Sequence, residues 1–221
     1  MWLVVSKRRR LRRFFGLRGG GITLYTSTLH VLQFGSTGWD GAPRSFNSRA
    51  TPSAEANVIA DFQRAFSTFA AQSLATSGPL RHLRVVDIEC SAEPSPSTME
   101  EVVRGRTFLT VGSPAYNTAS ALVEQEFNPI GRFAPTMVEI VLPDGYPESD
   151  ELCGFVVRCE HPRSGQVAFY AAGPSEAGTV AAARYLLENW TDLAKRRRDQ
   201  SVFCVLIRAT TSDGRSYEVL A

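Results

Sequence analysis

Two short segments of the chain place a glycine and a threonine six residues apart, each pair directly after an apolar run. Gly112 and Thr118 form the first pair, and Gly173 and Thr179 form the second. Each segment is typical of a strand that turns into a helix. The N–H groups at a helix start, together with the helix dipole, attract a phosphate or carboxylate. We therefore predict one ligand site, with Gly112, Ser113, Asn117, Thr118, Gly173, Ser175, Gly178 and Thr179 as its candidate ligand-binding residues.

The side chains expected around these two turns are rich in hydroxyl and amide groups and poor in charge. Tyr25, Thr26 and Ser27 end the first predicted strand, so their hydroxyls would face the same crevice. Such a lining suits recognition of a sugar or a nucleoside-like group better than hydrolysis by a strong base. Glycine and proline also occur at such turns for backbone reasons alone, so a purely structural role remains open at this point.

Nucleotide hydrolysis of the P-loop type is disfavoured. Gly173 and Gly178 have the spacing of a P-loop, but Thr179 stands where the phosphate-binding lysine should be. Glu176 adds negative charge inside the same loop and would repel a triphosphate. The glycine pattern of dinucleotide-binding domains is missing from the sequence as well.

Acid–base and metal chemistry receive little support from the sequence. Glu160 and His161 are adjacent, but neighbouring residues of a strand face opposite sides, and His161-Pro162 is typical of a turn. His30 would lie near the ligand edge and His82 at the far edge. These three histidines do not form a recognisable metal set, and no nucleophile–base–orienter triad emerges. The sequence therefore assigns no catalytic residue, no metal and no cofactor.

The charge of the chain is unevenly distributed. Of its 24 lysines and arginines, seven lie in the first 39 residues, which contain no acid. The rest of the chain has 17 basic against 22 acidic side chains, a net charge of −5. This mildly acidic body argues against a nucleic-acid-binding domain. We accordingly divide the chain into a basic N-terminal arm, residues 1–21, and one domain, residues 22–221.

The arm allows several interpretations. Residues Trp2 to Leu17 could form a basic amphipathic helix with Leu11, Phe14 and Phe15 on one side. It could be frayed or docked on the domain, or bind an acidic partner or a membrane surface. A basic segment of this kind also occurs in organelle targeting and in nucleic-acid binding.

Cysteine spacing and hydropathy indicate a cytoplasmic protein. The four cysteines contain no C-x-x-C pair, and Cys153 and Cys159 are six residues apart on one predicted strand. That separation is about 20 Å in an extended chain, too far for a disulfide or a shared metal. Reduced thiols and the lack of any apolar run of membrane-spanning length both favour the cytoplasm.

The order of secondary-structure elements follows from apolar periodicity and turn residues. Residues 22–26 form a first strand, 27–50 a long loop, and Thr51-Pro52 starts a helix. Further strands are predicted at 83–88, 107–111, 138–141, 155–160, 166–172, 202–208 and 217–220, a helical turn at 98–103, and helices after both turns. The strands on either side of residues 162–165 read as a β-hairpin. This pattern predicts a three-layer, Rossmann-like α/β fold whose sheet is mixed, mostly parallel, and carries an inserted hairpin.

The loop motifs Gly112-Ser113-Pro114-Ala115-Tyr116-Asn117 and Gly178-Thr179-Val180-Ala181-Ala182 resemble those of a bacterial and archaeal α/β domain family of unassigned function. Related loop pairs occur in archaeal surface-layer proteins. The resemblance spans residues 22–207, and Ser113 replaces the second glycine of the first motif. It implies a Rossmann-like fold with two paired loops, and it brings no catalytic residue.

Taken together, the residues predict a domain that binds a small anionic or nucleotide-like ligand at the two turns and acts as a sensing or regulatory module. Two alternatives remain open. One is an enzyme acting on a nucleoside or nucleotide, a hydrolase or transferase, with Glu176 or Glu160 as general acid or base. The other is a non-catalytic protein-interaction module that uses the sheet edge and the basic arm.

Overall fold

The computed structural model describes residues 10–11, 13–16, 21–26, 29–37, 43–50, 53–74, 87–91, 107–136, 139–142, 147–197 and 200–220. Its strands are β1 (Gly21–Thr26), β2 (Leu29–Thr37), β3 (Pro43–Ala50), β4 (Asp87–Ser91), β5 (Thr107–Val111), β6 (Arg132–Phe133), β7 (Ile140–Val141), β8 (Pro147–Glu148), β9 (Cys153–Glu160), β10 (Val167–Ala172), β11 (Phe203–Ala209) and β12 (Tyr217–Val219). Its helices are α1 (Ser53–Leu74), α2 (Thr118–Leu122, continued by a π-turn at Val123–Phe127) and α3 (Glu176–Arg196). Residues 10–11 and 13–16 form a helical turn, here called the N-terminal turn.

The main sheet has seven strands in the order β12-β11-β9-β10-β5-β1-β4. The pairings β4–β1, β1–β5 and β5–β10 are parallel. The pairings β10–β9, β9–β11 and β11–β12 are antiparallel. The protein is therefore an α/β protein with a mixed sheet, as predicted, and the β9–β10 hairpin is confirmed. The antiparallel part extends beyond that hairpin because β11 and β12 continue it.

One of the predicted connections differs in the structure. The predicted loop at 27–50 is wrong, because β2 and β3 pair there as an antiparallel ribbon. Its content of glycine, serine and asparagine hid the ribbon, since the main-chain hydrogen bonds of a strand pair do not require apolar side chains. The strand predicted at 83–88 is described only from Asp87, where β4 begins and continues to Ser91, and residues 83–86 lie outside the described part of the chain. The helical turn predicted at 98–103 lies outside the described residues.

Apolar side chains cover both faces of the main sheet because residues alternate sides along each strand. On one face, Val58 and Phe62 of α1 and Leu186 and Trp190 of α3 pack in one core cluster. On the other face, α2 and the small sheet β6-β7-β8 contribute to a second cluster, which includes Phe127 and Phe133. The inner strands β9 and β10 are buried almost throughout, which explains their nearly continuous apolar sequences.

The N-terminal turn is part of the first core cluster. Leu11, Phe14 and Phe15 are buried, and the ring of Phe15 is fully enclosed. The ring centroid of Phe15 lies 4.8 Å from that of Phe169 in β10 and 5.2 Å from that of Phe66 in α1. The predicted apolar side of the basic segment is therefore docked on the sheet, while residues 2–9, 12 and 17 lie outside the described part of the chain.

Candidate functional site

The two predicted turns lie side by side at one edge of the sheet. They follow β5 and β10, which are adjacent and parallel, and the Gly112 N–H donates to the Ala171 carbonyl at 3.0 Å. In the strand order β4-β1-β5-β10 the connections change direction between β1 and β5. Open α/β sheets bind ligands outside the carboxyl ends of the strands at such a point. The turn after β5 borders this point and the turn after β10 lies one strand further, so the two predicted turns are neighbours, and ligand binding there stays a prediction.

The polar side chains of the first turn are used inside the fold. Asn117 is buried; its Oδ1 accepts from the Ala119 and Ser120 N–H groups, and its Nδ2 donates to the Val111 carbonyl. Ser120 contacts Thr110 and the Gly112 carbonyl through its hydroxyl. Asn117 is therefore the N-cap of α2. Its side chain occupies the backbone N–H groups at the helix start that a ligand would need.

The second turn is organised in the same way. The Ser175 Oγ accepts from the Gly178 N–H and donates to the Glu151 carbonyl, so Ser175 is the N-cap of α3. Thr179 is buried, and its hydroxyl exchanges hydrogen bonds with the N–H and carbonyl of Gly173. The hydroxyl groups of this turn therefore fix the start of the helix against the strand end.

The glycines of the turns serve backbone geometry and close packing. Gly112 has a φ of 113°, a conformation that other residues rarely adopt, whereas Asn117 has an extended φ of −136°. A Cβ on Gly178 would approach the Cys153 carbonyl oxygen to 2.1 Å, and a Cβ on Gly154 would approach the Gly178 carbonyl oxygen to 2.1 Å. The first turn of α3 thus contacts the backbone of β9, which leaves no space for a side chain between them.

The electrostatics of this edge do not favour an anion. Glu176 is the one charged residue in the two turns, residues 112–118 and 173–179. Its carboxylate accepts from the Ala54 N–H at 3.2 Å, so it also neutralises the positive end of α1. The structure brings the eight predicted site residues together, but their described hydrogen bonds stabilise the turns. Their role in ligand binding stays a prediction.

The predicted acid–base candidates are placed in structural roles. His161 is buried, its Nδ1 lies 3.1 Å from the Ser164 N, and its ring packs on Phe127 with 5.1 Å between centroids. It therefore closes the β9–β10 turn. Glu160 forms an ion pair with Arg158 at 3.0 Å. Tyr25 is buried against Phe108. The side chains of Thr26, Ser27, His30 and His82 lie outside the described part of the structure.

The site that sequence reasoning missed lies at the opposite edge of the sheet. The helix α3 begins at the second turn and ends 21 residues later, about 30 Å away at the usual helical rise. A cavity of about 440 Å³ opens where it ends. The described residues that line this arginine cavity are Arg10, Arg13, Phe14, Arg158, Ala194, Arg197, Gln200, Ser201 and Phe203.

Arg158 is the most firmly held of these residues. It lies on β9 with its side chain 9% exposed; its Nε donates to the Phe14 carbonyl at 3.1 Å, and its Nη1 bonds Glu160. Burial lowers the pKa of Arg158, and the Glu160 carboxylate opposes that effect. An arginine in a protein nevertheless keeps its proton at neutral pH, so Arg158 is a fixed cation at the floor of the cavity.

The other three arginines come from two separate elements. Arg10 and Arg13 belong to the N-terminal turn, and neither guanidinium forms a hydrogen bond or an ion pair with another described residue. Arg197 is the C-cap residue of α3, and its Nη1 donates to the Gln200 side chain at 2.9 Å. Its positive charge also complements the negative end of the helix dipole.

Aromatic rings form the apolar part of the same cavity. The rings of Phe14 and Phe203 are stacked with 6.1 Å between centroids and an interplanar angle of 21°. Both residues belong to the first core cluster, and packing within that cluster fixes their rings. The cavity thus combines four guanidinium groups with a rigid aromatic wall, and none of its described lining residues is acidic.

The basic segments that form this site are visible in the sequence, but they are far apart along the chain. The basic arm and the run Lys195-Arg196-Arg197-Arg198 are both visible in the sequence, but about 180 residues separate them, and Arg158 lies on a strand between them. Only the docking of Phe14 and Phe15 on the sheet brings the three elements together. Basic segments at distant positions, each next to apolar residues, are the feature that could have suggested it.

Comparison with known proteins gives no match for this chain. No family model, no curated protein and no solved structure matches the chain. The resemblance to the paired-loop family accordingly stays a prediction from two short motifs. In the described part of the chain, no cluster of three or more histidine, cysteine or acidic residues could hold a metal ion, and none of the helices has the length and apolar character to cross a membrane.

Proposed function

We propose that this chain is a small-ligand-binding domain whose ligand is a compact anion held in the arginine cavity. One observation carries the proposal: four arginines line a single cavity of about 440 Å³ that has no acidic residue among its described lining residues. Arginine is the residue of choice for bidentate recognition of phosphate and carboxylate groups. The cavity also has the size range of small-molecule sites.

The charge balance supports an anion with more than one negative charge. Glu160 is the carboxylate that pairs with Arg158, and it lies beside the cavity rather than in its lining. The remaining three cations of the lining have no acidic hydrogen-bond partner among the described residues, and the exposed Asp192 interacts electrostatically with Arg10 from outside the lining. Grouping like charges at one site is unfavourable unless an opposite charge compensates them, and a phosphate supplies about two charges.

The shape of the lining supports a nucleotide-like ligand. Phe14, Phe203 and Ala194 form the apolar part of the lining, with Phe14 7% and Phe203 3% exposed, and the arginines suit a phosphate. Gln200 and Ser201 add polar groups at the rim that can fix orientation. A phosphate ester with an aromatic or apolar body satisfies both halves of the cavity better than a free inorganic ion does.

Binding and sensing are favoured over catalysis. The described lining contains no carboxylate, imidazole or thiol, and an arginine does not act as a general base because it keeps its proton. The alternative of a nucleoside- or nucleotide-directed hydrolase or transferase therefore lacks a proton-transfer group at this site. Arg10 and Arg13 line this cavity, so two basic residues of the arm have a candidate ligand within the domain, beside the alternative that the arm binds an acidic partner or a membrane surface.

Two further properties, the layer architecture of the fold and the cellular compartment, belong to the same proposal. We propose a three-layer, Rossmann-like architecture, supported by core clusters on both sheet faces and by the parallel order β4-β1-β5-β10. We also propose a cytoplasmic location, supported by the described cysteines, all of which are free thiols: Cys153, Cys159 and Cys204.

The paired turns are the second candidate site for the same class of ligand. The observation that favours them is their adjacency at the carboxyl ends of the parallel strands β5 and β10, where the Gly112–Ala171 hydrogen bond joins them beside the point at which the connections change direction. Ser113 is partly exposed there and Tyr116 is 58% exposed, so both side chains are accessible to a ligand. A variant at Ser113 therefore separates the two candidates.

A thermal-shift series tests the proposal. We expect pyrophosphate and adenosine monophosphate to raise the melting temperature, and adenosine alone to leave it unchanged. At 100 times its dissociation constant a ligand stabilises the fold by about 2.7 kcal/mol. For a chain of this size each kcal/mol corresponds to about 2–4 °C, so the expected shift is about 5–11 °C.

Matched variants locate the site. Arg13→Gln and Arg197→Gln should each reduce the shift, whereas Arg163→Gln removes the same charge from an exposed turn outside the cavity and should leave the shift intact. A shift that survives in the Arg13→Gln/Arg197→Gln double variant contradicts the arginine cavity. A shift that is lost only in Ser113→Ala assigns the ligand to the paired turns instead.

A further inference from the structure

The N-terminal turn belongs both to the hydrophobic core and to the arginine cavity. Its apolar residues Phe14 and Phe15 are buried against β10, α1 and α3. Its basic residues Arg10 and Arg13 supply half of the guanidinium groups of the cavity. The cavity therefore exists in this form only while the turn is docked.

Direct hydrogen bonds connect the turn to the sheet. The Phe14 carbonyl accepts from the buried Nε of Arg158, which is itself a lining residue of the cavity. The Gly16 carbonyl accepts from the Thr107 hydroxyl at the start of β5 at 3.0 Å. Any movement of the turn away from the sheet thus also releases a guanidinium group at the floor of the ligand site.

Docking is opposed by charge and favoured by burial of apolar surface. The turn brings Arg10 and Arg13 beside Arg197 and Arg158, so four cations share one cavity, and only Glu160 on Arg158 and the exposed Asp192 near Arg10 compensate them among the described residues. Enclosure of Phe15 among Phe66, Phe169 and Trp190 acts in the opposite direction. A bound anion removes the electrostatic opposition and leaves the hydrophobic contribution unchanged.

We infer that anion binding in the arginine cavity and docking of the N-terminal turn are one coupled equilibrium, in which the ligand holds the turn on the sheet. This inference rests on the proposed function of the cavity. Linkage makes the effect reciprocal. A ligand that prefers the docked form increases the population of that form, and a change that weakens docking of the turn also weakens binding of the ligand. The occupied site thereby controls whether the basic segment is docked or free for another contact.

Limited trypsin digestion of the full chain measures this coupling, with pyrophosphate as the probe. Cleavage after Arg13 needs the turn to leave the sheet, because its neighbours Phe14 and Phe15 are buried. When opening is fast, the cleavage rate follows the open population. With pyrophosphate at 100 times its dissociation constant, we expect cleavage after Arg13 to slow by about 10- to 100-fold, the upper value if the undocked form does not bind it.

The same digest contains its own control. Arg163 is exposed in the β9–β10 turn and lies outside the cavity, so its cleavage rate should not change with pyrophosphate. A second control compares Phe15→Leu with Phe133→Leu, two buried aromatic residues of different core clusters. Phe15→Leu should speed cleavage after Arg13 several-fold and pyrophosphate should restore part of the protection. Phe133→Leu should leave that rate unchanged.

The outcomes separate this inference from the proposed function. If pyrophosphate raises the melting temperature but leaves cleavage after Arg13 unchanged, the coupling is refuted and the cavity remains a binding site. If pyrophosphate slows cleavage after Arg13 and Arg163 equally, the coupling is also refuted. If pyrophosphate produces neither a thermal shift nor protection, both proposals fail. Selective protection at Arg13 that is lost in Arg197→Gln supports the coupling.

Discussion

Replacement of Gly178 by alanine is the perturbation that most directly tests the structural role of the paired turns. The added Cβ would lie 2.1 Å from the Cys153 carbonyl oxygen, well inside the distance that real Cβ atoms show. The obstacle is backbone, which cannot rotate away as a side chain can. The first turn of α3 must therefore move outward from β9, which opens the packing of the buried residues beside it.

The magnitude follows from two opposing effects. Overpacking in a well-packed region costs about 1–3 kcal/mol, and a backbone obstacle places this position at the upper end. Alanine is better than glycine in a helix by about 1 kcal/mol. We therefore expect Gly178→Ala to lower the free energy of unfolding by about 2 kcal/mol, or the melting temperature by about 4–8 °C.

Urea denaturation of Gly178→Ala, Gly154→Ala and the double variant is the assay. Both positions report the same contact, since a Cβ on Gly154 would meet the Gly178 carbonyl oxygen at 2.1 Å. Once one methyl has displaced the helix, the second has more space, so the double variant should lose at least 0.5 kcal/mol less than the two single losses combined. Arg196→Ala, exposed on the last turn of α3, is the control and should change stability by less than about 0.5 kcal/mol.

An unchanged or raised stability of Gly178→Ala would refute this reasoning, because it would mean that the helix gain exceeds the clash. Strict additivity of the two alanines would also contradict it. Either result would remove the close approach of α3 and β9 as the reason for these glycines, and the ligand interpretation of the turn would gain weight.

Two further predictions concern titration of buried groups. Burial raises the pKa of Glu124, whose carboxylate also accepts a hydrogen bond from the Tyr170 hydroxyl. The raised pKa means that protonated Glu124 stabilises the fold. This stabilisation is fully present below the ordinary pKa of 4.5 and is lost as pH rises through the pKa of the folded state. Glu124→Gln should therefore gain stability relative to wild type between pH 4 and pH 7 in urea titrations, while the exposed Glu126→Gln should not; equal behaviour of the two would contradict this. Burial also raises the pKa of three thiols to about 11 or 12, so iodoacetamide at pH 8 should label them far more slowly in the native than in the denatured protein, as followed by peptide mass spectrometry, and equal labelling rates would refute that assignment. These thiols are Cys153, Cys159 and Cys204.

Elements with strong local signals were predictable from the sequence. The α3 helix, the β9–β10 hairpin and both strand-to-helix turns follow from apolar periodicity and turn residues, and the structure confirms them. Each of these patterns depends on residues that are close in the chain. The adjacency of the two turns was predictable too, because the carboxyl ends of parallel strands meet at one edge.

The internal use of polar groups was not predictable in the same way. A serine or asparagine before a helix can cap that helix or bind a ligand, and the sequence is the same in both cases. The structure places the Asn117 and Ser175 side chains on their own helix amides. The choice depends on three-dimensional placement, here on how closely each strand end approaches the next helix.

The arginine cavity lay beyond sequence reasoning because its members are contributed by long-range contacts. Arg13 and Arg197 come together only after Phe14 and Phe15 insert between α3 and the sheet. Local periodicity shows that the segment is amphipathic, but it does not show which apolar surface it covers. A strand arginine such as Arg158 likewise has no sequence feature that distinguishes a buried cation from an exposed one.

Isothermal titration of pyrophosphate into the full chain tests the central claim most directly, because it measures affinity and stoichiometry without a stability readout. We expect one site per chain, an affinity that falls as salt concentration rises, and a loss of at least about tenfold in Arg197→Gln but not in Arg163→Gln. Absence of binding at low salt, or equal affinity of both variants and wild type, would contradict an anion site in the arginine cavity.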